Sequence, residues 1–152
     1  MIVSMHVATG AAGGALAGTR LRATLLGLVL HGLCDRVPHQ DIHSHRFELR
    51  SGLGLLGLLA AARGPLDPVV VGAAASSAPD LEHILSLPRP GGRKLFPSHR
   101  VRGWHRTGGG LSSRTQLLAA GVIVGLLLRP ATRPSVESGL PDREEHPCRG
   151  ST

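Results

Sequence analysis

Residues 30–45 read LHGLCDRVPHQDIHSH, and the reading of the whole chain turns on them. An apolar run enters the stretch, Pro38 interrupts it, and four histidines (His31, His39, His43, His45) and two aspartates (Asp35, Asp41) crowd its sixteen positions. A neutral imidazole beside a carboxylate is a donor pair for zinc or a related divalent ion. A second cluster answers it downstream, with Asp80, Glu82 and His83 in PDLEH and then His99 and His105 in FPSHRVRGWHR. Two distant segments offering this many donors point to a metal site closed by the fold, with the apolar remainder as its scaffold.

The fold class follows from the runs on either side. Residues 23–34 are leucine-rich and read as a helix that Pro38 stops, because the residue before a proline is pushed out of the α region. Residues 52–62 form a second apolar helix, ended by Arg63, Gly64 and Pro65, and residues 67–78 a third, rich in small side chains. Ser77, Pro79 and Asp80 fit a further helix start, with a capping residue and a proline in the first turn. A loop rich in Pro, Gly and Arg covers residues 88–110, and residues 115–128 form a last apolar helix. No strand alternation appears between turn signals. The expectation is an all-α protein, a small bundle of about four to five short hydrophobic helices. Residues 1–128 make the helical metal-site domain and 129–152, with four prolines and mixed charge, a disordered C-terminal tail.

These runs are shorter than the roughly twenty residues a membrane span wants, yet several have almost no polar face, and a helix apolar all round must be buried in protein or in lipid. The expectation is a membrane-embedded bundle of short, tilted or re-entrant helices. Residues 1–18 carry no early positive charge, so no cleaved secretory signal is expected. Leu33 before Cys34 does not fit a lipoprotein acceptor, and the two cysteines, Cys34 and Cys148, are too few for a disulfide framework.

Charge adds less than its sum suggests. The net charge is +7, with Lys94 the one lysine among seventeen Lys and Arg, which suits phosphate or an anionic surface. Arginine-rich and alanine-rich usage can equally reflect a GC-rich coding sequence. With two phenylalanines, one tryptophan and no tyrosine, the chain lacks the stacking residues of a nucleic-acid binder, so no nucleic-acid partner is expected. Of ten acids, four (Asp35, Asp41, Asp80, Glu82) lie among the histidines and four more in the tail.

Each donor has a plainer alternative. His31 and Asp35, four apart, share a helical face and could be only a solvated polar helix end. Behind Pro38, however, His39 and Asp41 can fold back beside them. Asp80 could merely stabilise a helix dipole, but His83 on the same face has no such use. Glu82 points elsewhere on an ideal helix, which makes it the candidate catalytic base rather than a ligand. His43 and His45 are outer or exposed candidates, and His146 in the tail is not expected to take part.

The order Pro79-Asp80-x-Glu82-His83, then His99-Arg100, then Gly103-Trp104-His105 resembles the family of predicted membrane-bound metal-dependent hydrolases. That family places a PD-x-DH motif before an HRG-THS motif amid hydrophobic helices. His31-x3-Asp35-x2-Pro38-His39-x-Asp41 is similar to a motif of small bacterial membrane proteins. The resemblance covers roughly residues 6–128. Glu82 stands where the family usually has aspartate, Trp104-His105-Arg106 replaces Thr-His-Ser, and His6 matches the family's early histidine only loosely. What the resemblance implies is a hydrolase class and a bacterial inner-membrane location.

Together these readings give a membrane-associated metal-dependent hydrolase acting on an ester or phosphoester. One or two divalent ions, zinc foremost, would be held among His31, Asp35, His39, Asp41, Asp80, His83, His99 and His105 and would acidify a water to a pKa of roughly 7. Arg100, Arg102 and Arg106 would hold an anionic substrate, a lipid phosphoester being the natural one at a membrane surface. The alternative is a non-catalytic membrane protein that uses the same residues to bind or transport metal ions or protons.

Overall fold

A computed structural model describes residues 1–84 and 89–128. The described residues are helical, with no strand among them. Five helices of ten or more residues, α1 (Val3–Ala17), α2 (Arg20–Cys34), α3 (His45–Arg63), α4 (Pro68–Ser77) and α7 (Ser113–Leu127), make the body. Two single turns, α5 (Leu81–Ile84) and α6 (Pro97–Arg100), carry site residues. The tail, with His146 and Cys148, lies outside the described residues.

The central helix is α1, which the apolar pattern alone does not mark as one. Its sequence VSMHVATGAAGGALA is small on every face, so it carries no helical stripe to read. That smallness is why it can be central. A Cβ on Gly10 or Gly14 would strike the backbone of α4, a Cβ on Gly72 would strike Gly10, and one on Gly27 of α2 would lie 2.6 Å from the Gly72 carbonyl oxygen. Thus α1, α2 and α4 meet backbone to backbone. Val7, Ala8 and Ala11 of α1 pack with Val69, Val70 and Ala73 of α4, Leu59 of α3, and Ala120 and Val124 of α7.

Short side chains define the helix ends. Thr19 accepts from the Arg22 N–H, Ser44 from Phe47, Asp67 from Val69 and Ser112 from Thr115, each satisfying one orphan amide of a first turn. Pro38 does end the helix before it: α2 stops at Cys34 with Asp35 as C-cap. Around Ser77 the outcome differs from the expected helix start. The Ser77 hydroxyl donates back to the Ala73 and Ala74 carbonyls, and α4 tightens into a 3-10 turn at Ala78–Asp80 without a capped restart.

The interior is built largely of Gly, Ala and Val with one leucine, Leu59, while many large apolar side chains face outward, in i, i+4, i+8 stripes on α2 (Leu25, Val29, Leu33) and α7 (Leu118, Val122, Leu126, with Leu118 72 % exposed). No helix among the described residues is long and apolar enough to cross a membrane.

Candidate metal centre

His31 and Asp35 leave the last turn of α2 on one face, His31 Nε2 lying 3.2 Å from Asp35 Oδ2. The other His31 nitrogen is already committed. Pro79 contributes no N–H to the end of α4, so carbonyls there lack helical partners, and the Ser76 carbonyl accepts from His31 Nδ1 at 2.8 Å. Beyond Pro38 the chain turns back as expected, and His39 repeats the device: its Nδ1 donates to the Val37 carbonyl at 2.7 Å. In α6, His99 Nδ1 is held by Glu82 Oε1. Three imidazoles thus have one nitrogen fixed by an acceptor and the other aimed inward, the arrangement in which metal-ligating histidines are held.

The inward nitrogens converge on Asp35. His31 Nε2 faces His99 Nε2 at 3.3 Å and His39 Nε2 faces His105 Nε2 at 3.1 Å. Each pair sets lone pair against lone pair unless a proton or a cation lies between. Asp35 Oδ2 is 3.7 Å from His99 Nε2 and 3.4 Å from His105 Nδ1, and Asp41 Oδ1 is 3.2 Å from His39 Nε2. Four overlapping trios bring their ligand atoms within 4.8 Å of one another: His6, His31, Asp80; His31, Asp35, His99; Asp35, His39, His105; and Asp80, His83, His99. The two sequence clusters therefore meet, and the described His and Asp groups are placed to hold a metal ion.

Four members are fully or almost fully buried: His6, His31, Asp35 and His39, none more than 1 % exposed. Both ring nitrogens of His6, Asp35 Oδ2 and Asp80 Oδ2 have no hydrogen-bond partner there. Buried polar groups are rarely left so, and a cation among them is what this donor set fits.

The electrostatics agree at Asp35, Asp41, His6 and His83 and run the other way at Asp80 and His99. Burial would push the Asp35 carboxyl up, but the imidazoles of His105, His31, His6 and His99 outweigh it and hold the group well below the usual carboxylate range. Asp41 is lowered chiefly by His39. Burial pushes Asp80 up to about 6 and His6 down to about 3. His83 falls to about 4 through burial, with the His99 and Lys94 charges adding to it. His99 moves upward, because Asp35 and Glu82 beside it outweigh its burial. Neutral imidazoles and ionised carboxylates are the forms a metal takes.

The loop from His99 to Leu111 lids this centre, and backbone hydrogen bonds tie it down. The Arg106 N–H donates to the Asp35 carbonyl and the His39 N–H to the Arg106 carbonyl. Gly110 sits at φ +67 where a Cβ would strike the Pro38 carbonyl, so a side chain there is excluded twice over. Trp104 Nε1 donates to the Gly32 carbonyl at 2.8 Å. Gln116, 1 % exposed, joins three segments: it accepts from the Ile2 N–H and donates to the Gln40 and Leu111 carbonyls. Gln116 closes a polar first turn, Ser113-Arg114-Thr115-Gln116, ahead of the apolar run of α7, and nothing in the sequence set it apart from its neighbours.

Three sequence expectations need amendment. Glu82 does not face the open site as a base would. It is 2 % exposed, with one oxygen on His99 and the other accepting the Leu95 N–H at 2.7 Å, and these partners hold its carboxyl low against its burial. It positions His99. Arg100, Arg102 and Arg106 are exposed and none lines the cavity beside the cluster; of the three, Arg106 reaches the site segments through its backbone. Lys94 lines it instead, its Nζ 3.4 Å from His83 Nδ1. His6, left outside the expected ligands, stacks on His31 at 4.2 Å between ring centroids, with its Nε2 3.2 Å from Asp35 Oδ1. A lone histidine in a helix of small residues was its only mark. His43 is exposed and in none of the four trios, and His45 lines the cavity.

That cavity, of about 340 Å³, is lined by Asp41, His45, Glu48, Asp80, His83, Lys94, His99 and His105 together with Met1, Val3, Ile42 and Leu49. It gives small molecules access to the cluster. No family model, no curated protein and no solved structure matches this chain, so the resemblance to the membrane-bound hydrolases rests on its motifs alone.

Proposed function

We propose that the protein is a metal-dependent hydrolase of a membrane surface, acting on an ester or phosphoester. The observation that carries the reading is the set of inward nitrogens and orphaned carboxylate oxygens around Asp35, buried yet bordering a cavity. Zinc fits the mixed imidazole and carboxylate donors, with the trios His31, Asp35, His99 and Asp35, His39, His105 meeting at Asp35 and with Asp80, His83, His6 and Asp41 around them. Bound there, the ion would supply an acidified water and polarise the scissile bond. The chain's own residues do the rest. Glu82 orients His99, Lys94 offers the charge nearest an anionic substrate, and the loop carrying Trp104 keeps bulk water from the buried side.

Two features support the membrane half. Outward leucine stripes are costly in water, and close helix packing through Gly10, Gly14 and Gly72 is the association mode of helices in lipid. At 1.5 Å per residue the longer helices measure about 22–28 Å, so the bundle would sit in a thinned or single-leaflet setting. The raised basicity of His99 between Asp35 and Glu82 favours the second reading, a binder or carrier of metal ions or protons.

Elemental analysis of detergent-purified protein, beside an ester and phosphoester hydrolysis screen and flotation with lipid vesicles, tests these readings. Zinc bound in the wild type and lost together with activity in His31→Ala and His83→Ala is the expected result. Full metal occupancy in both variants would end the metal reading, zinc without hydrolysis would favour the carrier, and failure to float would end the membrane half.

A further inference from the structure

The cavity beside the histidines adjoins a second one, of about 250 Å³, and Val3, Leu49 and Asp80 line both. The second runs between α1, α3 and α4, walled by Val7, Gly52, Leu53, Leu56, Ala74 and Leu81 among others. Its one other polar residue, Ser77, donates its hydroxyl to the Ala73 and Ala74 carbonyls, leaving the wall with no donor to offer.

The crevice has a cause in the sequence. A Cβ on Gly52 would lie 2.5 Å from Val3 Cγ1, so α3 touches α1 closely at that point. Toward α4 it faces only Ala74, Ser77 and Ala78, side chains too short to fill the gap. Only Gly52 and Leu59 of α3 are buried. Leu53 and Leu81, 55 % and 39 % exposed, stand at the mouth, continuous with the outward leucines of α3.

We propose that this crevice holds the single alkyl chain of an amphiphile whose anionic head lies in the cavity beside the histidines and Lys94. The proposal rests on the metal reading for its head and not for its chain. A dry apolar slot does not retain ordered water, and a peptide segment would need partners for its amides that these walls lack. At about 30 Å³ for a group the size of a water or a methylene, the slot takes a chain of about eight carbons. A lipid phosphoester with one chain in the slot thereby becomes the substrate class.

The test is the affinity of full-length protein in non-ionic detergent for n-alkyl phosphonates of two to twelve carbons, with and without zinc, by calorimetry. Phosphonates are not cleaved, so binding is read apart from chemistry. The expected result is a Kd falling about fourfold per methylene, as about 0.8 kcal/mol for each buried CH₂ gives, and levelling near eight carbons. Ala74→Phe, at an exposed position, should keep the wild-type zinc content and lose the dependence on chain length. A Kd independent of chain length in the wild type would overturn the proposal, as would the same slope in Ala74→Phe, which would mark partition into detergent. A slope without hydrolysis of 4-nitrophenyl alkyl phosphates supports the crevice and ends the hydrolase reading. Hydrolysis without a slope does the reverse.

Discussion

The two ends of the bundle carry similar chemistry and treat it in opposite ways. Where α1 meets α2 and α3 meets α4, Arg20 donates to the Leu66 carbonyl at 2.9 Å, Arg63 pairs with Asp67 at 3.4 Å and also donates to the Leu127 carbonyl. These groups line an open hollow and are partnered with each other and with solvent. At the other end Asp35, His6, His31 and His39 are buried; Asp35 Oδ1 accepts from the Met1 ammonium at 2.9 Å, while Asp35 Oδ2 and both ring nitrogens of His6 stay unmatched. Charge at the first end needs no ligand, whereas at the second the fold bears a desolvation cost that the Met1 ammonium on Asp35 offsets in part and that a bound cation would offset further.

The contrast breaks most sharply at the acids. Asp35→Ala should abolish zinc binding and cost about 3–5 kcal/mol, whereas Asp67→Ala at the far end should keep the metal and cost about 1 kcal/mol, the value of a helix cap. Zinc retained in Asp35→Ala would erase the difference between the ends. Glu82→Gln comes next: with the carboxylate behind His99 neutralised, metal affinity should weaken about 10–100-fold while thermal unfolding changes little. If affinity held and only turnover slowed, Glu82 would be the base after all.

Gln116→Leu should cost about 1–3 kcal/mol, the penalty of leaving buried amide groups unpaired, measured by urea unfolding of the metal-free protein. No loss would mean the loop over the site is held by Trp104 and the backbone alone.

A smaller effect is expected with pH. His6 and His83 have folded pKa values of about 3 and about 4, below the ordinary 6.5, so between those values the unfolded chain binds more protons. Stability of the metal-free protein must then fall as pH drops below 6.5, and it is untouched by these groups above it. Asp80, raised to about 6, binds its proton in the folded state first and opposes the trend from pH 6 down to its ordinary value. With His83 exposed and its share screened by solvent, the net loss stays under about 1 kcal/mol per pH unit and lowers Tm by no more than about 2–4 °C. An unchanged pH profile in His6→Phe would contradict the burial of the His6 ring. The smallest effect belongs to Arg63→Ala, within about 1 kcal/mol and with zinc content unchanged.

The helical class and most boundaries could be read directly, because leucine runs, capping residues and prolines act through neighbours in the chain. So could most of the donors, since His31 with Asp35 and Asp80 with His83 each lie within one turn. The helix over His45–Arg63 begins earlier than its apolar run, because Ser44 and Glu48 form its first turn without hydrophobic periodicity. The central place of α1 was not legible, since a helix of small residues shows no face until others close on it.

Local spacing determined by itself which residue types gather near which turns, and it is short-ranged physics that decides this: dihedral limits, caps and i, i+4 contacts. Only the tertiary structure decided that His6 belongs with His31 and that Glu82 stands behind His99. It also decided that Lys94 rather than the three arginines faces the cavity. Those relations join positions that lie far apart along the chain, across backbone contacts at Gly10 and Gly72 that no periodicity encodes. A side chain's role there depends on which of its atoms has already been taken by a carbonyl or a carboxylate from another segment.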